Sequence, residues 1–198
     1  MPSRYISEIG CCYPDVMAHV ILGLLLLGDQ TLYGFKKQFE SGIALFYSSS
    51  VGSLKRALDQ LLALGHIEVA HQEEGPRGRK TYRITASGRA EFQQWMRSPV
   101  AGSDLETGAL PRTYLLGLLE PSARLEVVDQ ILAGIEDGLG GLRRLAASLD
   151  SAAVPAQFQD VFDHQLATLD YGIASHEFAQ SWFRDYRARI AATKTGKS

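Results

Sequence analysis

Directly after Gly65 the spacing of apolar residues along the chain changes from a helical period to a strand period. Upstream, Val51, Leu54, Leu58, Leu61 and Leu62 form one stripe of a helix that opens at Ser49 or Ser50 and stops at Gly65. A serine hydroxyl accepts from the orphan N–H groups of a first turn, and glycine tolerates the left-handed position past a last one. Downstream, Ile67 and Val69 alternate with Glu68 and Ala70, and later Tyr82 and Ile84 alternate with Thr81 and Arg83. These two runs predict a hairpin. Its connection contains Gly75-Pro76-Arg77-Gly78-Arg79-Lys80, which is too long and too basic for a tight turn.

The elements on either side complete a pattern. Asp15 suits the N-cap of an apolar helix running through Leu27 and ended by Gly28. A short helix follows from about Tyr33 to Glu40, carrying Lys36 and Lys37 and ending near Gly42. After the hairpin, Thr85 offers the cap of a further helix bearing Phe92, Trp95 and Met96, and Pro99 to Asp104 has the character of a linker. The expected boundaries are a mixed domain over residues 1–98 and a helical one over 105–192.

The second half is expected to be all helical. One helix spans Thr107 to Leu119, bent or begun late at Pro111, and Pro121 suits the first turn of the next. Leu125, Val128, Leu132, Ile135, Leu139 and Leu142 then recur at alternating spacings of three and four, a heptad seam. Gly134, Gly138, Gly140 and Gly141 weaken this helix by about 1 kcal/mol each relative to alanine, so it needs a packing partner. A last helix from about Pro155 to Ile190 presents Phe158, Val161, Phe162, Leu169 and Ile173. The seam can pack inside one subunit or pair with a second copy. Two long helices make too thin a core to hide both faces, which favours a homodimer joined through the seam together with Leu169 and Ile173.

Charge separates the halves. Residues 1–98 hold 11 basic and 9 acidic side chains, a net of +2, whereas residues 99–198 hold 9 and 13, a net of −4. The densest apolar stretch, Val20 to Leu27, is far short of the roughly 20 residues needed to cross a bilayer. Met1 to Gly10 shows no apolar core of a secretory signal, so a cytoplasmic protein is expected. Cys11 and Cys12 are adjacent, which suits neither a redox motif nor a zinc cluster. They are expected to be inert thiols.

Helix, short helix, capped helix and basic-tipped hairpin is the order of a winged helix-turn-helix, whose third helix enters the major groove while the wing reaches the backbone or minor groove. The fold class expected is therefore mainly α, with an N-terminal winged helix-turn-helix carrying a small two-stranded wing and a C-terminal all-helical dimerisation domain. On the third helix the apolar stripe leaves Gly52, Ser53, Arg56 and Gln60 opposite, with Lys55 at the margin. Small residues permit close approach and long donors reach base edges. Arg77, Arg79 and Lys80 on the wing, and Lys36 and Lys37 on the preceding helix, are placed to meet phosphates. The chain contains no asparagine, so base reading rests on Arg, Gln, Ser or Lys.

These residues also resemble a family. Tyr33-Gly34-Phe35, then Ser50-Val51-Gly52-Ser53-Leu54, then Leu61 to Ile67, then Arg77 to Arg89, in that order, are similar to the PadR family of bacterial transcriptional regulators. Leu169-Asp170-Tyr171-Gly172-Ile173, with Trp182 following, is similar to the helical domain of the larger, virulence-activator-like subgroup. The resemblance implies a homodimer that binds a double-stranded operator, commonly as a repressor, and responds to a small effector. It adds Tyr33, Ser49 and Ser50 to the DNA-facing set. One departure is plain: Lys55-Arg56 stand where the family usually carries Tyr-Pro, so the base contact of that aromatic does not transfer. Trp95, Tyr171, Phe178, Trp182 and Phe183 could line a pocket for a flat aromatic effector between the two domains.

Enzyme signatures fail. Residues 191–198 end in Gly196-Lys197-Ser198, but a phosphate loop must follow a strand and open a helix. Asp160, His164 and His176 share helical spacing without a further ligand for a metal or a pocket for acid–base work. No metal, cofactor or catalytic role is expected. The competing class is a non-catalytic ligand or protein adaptor whose winged helix no longer reads DNA.

Overall fold

The computed structural model describes residues 16–45, 50–75, 78–100, 105–149 and 153–195. Asp15, Ser49, Arg77 and the adjacent cysteines, which carry expectations above, lie outside the described residues. The chain divides into two units, Met1–Trp95 and Met96–Ser198.

The first unit is built around α1 (Val16–Leu26), which is apolar on all sides and buries every residue from Met17 to Leu25. Its one polar side chain, His19, is accommodated by α4 (Ala86–Arg97): Nε2 lies 3.1 Å from a Glu91 carboxylate oxygen and the ring stacks on Trp95 at 4.8 Å. Gly28, with φ of 148°, turns the chain out of α1. α2 (Leu32–Ser41) is capped by Thr31, whose hydroxyl accepts from the Gly34 N–H at 3.1 Å, and it buries Phe35 and Phe39. α3 (Val51–Ala63) buries Leu54, Ala57, Leu58 and Leu61. Val51, placed on that stripe by its spacing, is 48% exposed at the helix start.

Gly65, with φ of 69°, closes α3 and leads into β2 (Ile67–Gln72), which pairs antiparallel with β3 (Lys80–Ile84). A bulge between Val69 and His71 bends this hairpin. The sheet has a third strand beyond the two expected: β1 (Gln30–Thr31) pairs with the other edge of β3, giving the order β1-β3-β2. Two residues are too few to show alternation, so no periodicity could reveal this strand. Arg83 fixes the edge by a bidentate contact to Asp29 at 2.6 and 3.1 Å. Thr85 joins the hairpin to α4, donating to the Gly65 carbonyl at 2.7 Å and accepting from the Gly88 N–H at 3.1 Å.

In the second unit the single helix expected over residues 107–119 is broken. A π-helical stretch (Leu105–Ala109), α5 (Leu110–Leu115) and a 3-10 turn (Leu116–Leu118) follow one another. Pro111 cannot donate to the carbonyl one turn back, which accounts for the irregular entry. Buried Arg112 donates to the Gly108 carbonyl at 2.7 Å and to the Ser98 hydroxyl at 2.9 Å, and desolvation pulls its guanidinium down to about 10. Two long helices, α6 (Pro121–Leu149) and α7 (Gln159–Thr195), then pair antiparallel. Arg143–Glu177 at 2.7 Å and Arg184–Glu136 at 2.9 Å lace them, and Arg187 grips Asp129. Gly134 is required where it stands, because a Cβ there would lie 2.2 Å from the Val100 carbonyl oxygen.

The seam on α6 belongs to this hairpin. Val128, Leu132, Ile135 and Leu139 are buried within the chain, as are Val127 and Ile131 beside them. A face this wide is that of a core helix, not of a narrow coiled-coil seam. Leu142 reaches Gly172 on α7, and Leu125, Leu169 and Ile173 are half-buried. Of the residues expected to join two copies, Val128, Leu132, Ile135 and Leu139 are thus occupied inside one, while Leu125, Leu142, Leu169 and Ile173 keep part of their surface.

Candidate nucleic-acid interface

α3 is started by a reciprocal cap. The Ser50 hydroxyl accepts from the Ser53 N–H at 3.1 Å, while the Ser53 hydroxyl accepts from the Ser50 N–H at 3.0 Å. Both hydroxyls are therefore engaged in holding the first turn, and Gly52 between them leaves it uncovered. With one face of α3 packed against α1 and α2, Gly52, Lys55, Arg56 and Gln60 are exposed on the other. None of the side-chain ends of Lys55, Arg56 and Gln60 makes a hydrogen bond or ion pair among the described residues.

Asp59 shares this exposed surface, although the sequence pattern did not single it out. It follows Lys55 by four residues and Arg56 by three, so the wheel that selected those cations also contains it. Choosing residues for their donors passes over an acceptor. Its carboxylate is near enough to β3 that, after burial, it is the second cause holding the Tyr82 phenol above the usual tyrosine range.

The neighbouring elements contribute unevenly. On α2, Tyr33 is 73% exposed and Lys37 is exposed, while Lys36 lies 3.7 Å from Glu40 in an i,i+4 pair. On the wing, Lys80 is exposed and Arg79 lies 3.7 Å from Glu73. Glu73 and Glu74 also flank the tip, so the wing is less purely basic than the run of residues 77–80 suggests. Arg83 is spoken for by Asp29, whose hydrogen bonds and charge hold its guanidinium firmly protonated.

The expected effector residues divide between the units. Trp95 is 3% exposed in the core of the first, against His19 and Phe92. Tyr171, Phe178, Trp182 and Phe183 come together on α7 and, with Leu110 and Ser175, line an apolar groove of about 550 Å³. Trp182 packs edge-on to Phe183 at 4.9 Å and stacks on Tyr186 at 5.1 Å, and the Arg189 guanidinium lies 5.7 Å from the Trp182 ring centre. Among the described residues no charged side chain lines this groove. Tyr171 and Phe178 are 75% and 72% exposed, on the side of α7 away from α6. Tyr171 follows Leu169 by two positions, about 200° around a helix, so α7 carries two apolar stripes.

Other constellations do not assemble. Among the described residues no three His, Cys, Asp or Glu side chains are grouped to hold a metal ion. His176 Nδ1 lies 2.8 Å from the Gly172 carbonyl of its own helix. Residues 191–195 continue α7, so no strand precedes the terminal Gly-Lys-Ser. Among the described residues no helix is long and apolar enough to cross a membrane.

Residues 21–94 match the transcriptional regulator PadR-like family. No curated protein matches the chain. Among solved structures it is similar to Bacillus subtilis PadR in complex with operator DNA, at 22% identity over 88% of this chain and 99% of that one, with a TM-score of 0.41. The same protein in complex with p-coumaric acid aligns at 22% identity over 91% and 99%, with a TM-score of 0.39. The Vibrio cholerae virulence activator AphA aligns at 18% identity over 89% and 99%, with a TM-score of 0.38.

Proposed function

Because residues 21–94 match the transcriptional regulator PadR-like family, we propose that this chain binds duplex DNA sequence-specifically as a homodimer, acts as a repressor, and is modulated by a small effector. The observation that carries the reading is α3, which holds Lys55, Arg56 and Gln60 exposed and, among the described residues, unpartnered beside an uncovered Gly52. Long donors without internal partners, on a capped and rigid helix, are what base edges and phosphates require. Lys37, Arg79 and Lys80 add phosphate contacts from the flanking elements. Bacillus subtilis PadR has been crystallised with operator DNA and with p-coumaric acid; the two ligands proposed for this chain, a duplex and a small aromatic molecule, are of the same kinds.

The second copy is assigned to the outward side of α7. Its exposed Tyr171 and Phe178 make a stripe that the α6 pairing leaves uncovered, and exposed aromatics at helical spacing are costly unless a partner covers them. The groove between this stripe and Leu110, roofed by the second copy, takes the effector, and its uncharged lining favours a flat apolar molecule.

An electrophoretic shift on the gene's own upstream region, repeated across salt concentrations, tests the reading. If each subunit neutralises about four phosphates, log affinity falls against log salt with a slope near −7. Absence of a shift, with thermal stabilisation by small aromatics retained, would favour a ligand adaptor that no longer reads DNA.

A further inference from the structure

On a surface that meets polyanionic DNA, a free carboxylate needs an explanation. Asp59 is exposed in the middle of α3 and makes no hydrogen bond or ion pair among the described residues, although Lys55 and Arg56 stand one turn away. Three acidic side chains elsewhere on the molecule hold structure: Asp29 grips Arg83, Glu136 takes Arg184, and Asp129 takes Arg187. Asp59 does none of this. Its order relative to Lys55, cation first and acid four residues later, is also the less favourable one for a helical pair.

Against phosphates this carboxylate only repels. In the major groove it has a partner, because cytosine presents its N4 amino group as a donor there, and a carboxylate accepts from it. Three residues advance a helix by about 4.5 Å, comparable to the roughly 3.4 Å rise between base pairs on one strand. Arg56 and Asp59 are therefore spaced to meet neighbouring base pairs, one supplying donors and the other an acceptor. Building on the DNA-binding reading above, we propose that Asp59 is a specificity-determining residue that reads a cytosine amino group in the operator and rejects duplexes that place thymine or guanine, whose major-groove edges carry only acceptors, at that position.

The mechanism is a difference in cost. On the cognate pair the carboxylate exchanges its water for an N–H donor. Where a thymine O4 or a guanine O6 takes the place of the cytosine amino group, it is desolvated against an acceptor and the complex weakens. The residue thus gives up general affinity and gains discrimination.

The test is selection of duplexes from a randomised library by the full-length wild-type protein, Asp59→Ala and Asp59→Asn. Asp59 is exposed and alanine is the better helix former, so both variants are expected to fold. The wild type should enrich a site with a cytosine in each half, and replacing that cytosine by thymine should weaken it about tenfold. Asp59→Ala should tolerate the replacement within about twofold, keep the preference at the Arg56 position, and bind unrelated duplexes more tightly. Asp59→Asn, which can pair with the N6 and N7 edge of adenine, should shift that position toward adenine. If both variants select the wild-type site with unchanged preferences and merely bind all duplexes more tightly, Asp59 is a general repeller and the proposal is overturned. A wild-type protein that enriches no duplex overturns the DNA reading itself, and Asp59's role with it.

Discussion

Arg56 and Arg79 are both cations on the candidate interface, yet their surroundings give them different work. Arg56 stands on α3 without a partner among the described residues, whereas Arg79 lies at the wing beside Glu73 at 3.7 Å. Arg56→Ala should relax sequence preference. Arg79→Ala should weaken all duplexes alike and make the salt slope shallower by about one for each phosphate it no longer neutralises. Equal losses on specific and random DNA from both substitutions, measured by competition binding, would contradict this division. Tyr82 provides a prediction in pH. Its phenol is held above the usual range by burial and by Asp59, so the folded state favours the protonated form. The stabilisation is complete below the unfolded value of about 10 and is lost as pH rises through the higher folded value. Tyr82→Phe should flatten the alkaline limb of stability, and tyrosinate absorbance should show one late-ionising phenol in the wild type. Arg56 and Lys55 were legible as groove-facing because amphipathicity is a property of local spacing. Asp59 was not, since its importance depends on which nearby acids are already paired.

At the level of elements, α3 depends on its first turn. Ser50→Ala removes the hydroxyl that accepts from the Ser53 N–H, which should cost about 1 kcal/mol and weaken DNA binding through fraying of the groove-facing end. Urea unfolding and a binding titration on the same variant would check both effects. The cap, the Gly65 stop and the change to strand periodicity are all encoded within a few residues, so α3 and the hairpin could be read directly. β1 could not, because its two residues acquire strand character only from the edge of β3. The interruption near Pro111 could be read as well, but not that Arg112 satisfies the Gly108 carbonyl from within the core.

For the whole molecule, the decisive matter is which apolar face of the second half is core and which is surface. Ile135→Ala should cost about 2–5 kcal/mol because it opens a cavity inside one chain, and this loss should not depend on protein concentration. Phe178→Glu should leave the chain folded, shift sedimentation toward single copies, and lower affinity for a two-half-site duplex. If instead Ile135→Ala dissociates the protein while Phe178→Glu has no effect, the assignment of faces is wrong. Periodicity by itself determined that α6 and α7 are long helices with apolar stripes, and that a capped helix precedes a basic-tipped hairpin, because caps, breakers and repeat spacing act between residues close in the chain. Only the tertiary structure decided that Val128, Leu132, Ile135 and Leu139 of the α6 seam are buried within one chain and that Tyr171 and Phe178 are left outside. Hydrophobic pattern states that a face must be covered; which surface covers it depends on where segments distant in sequence come to rest.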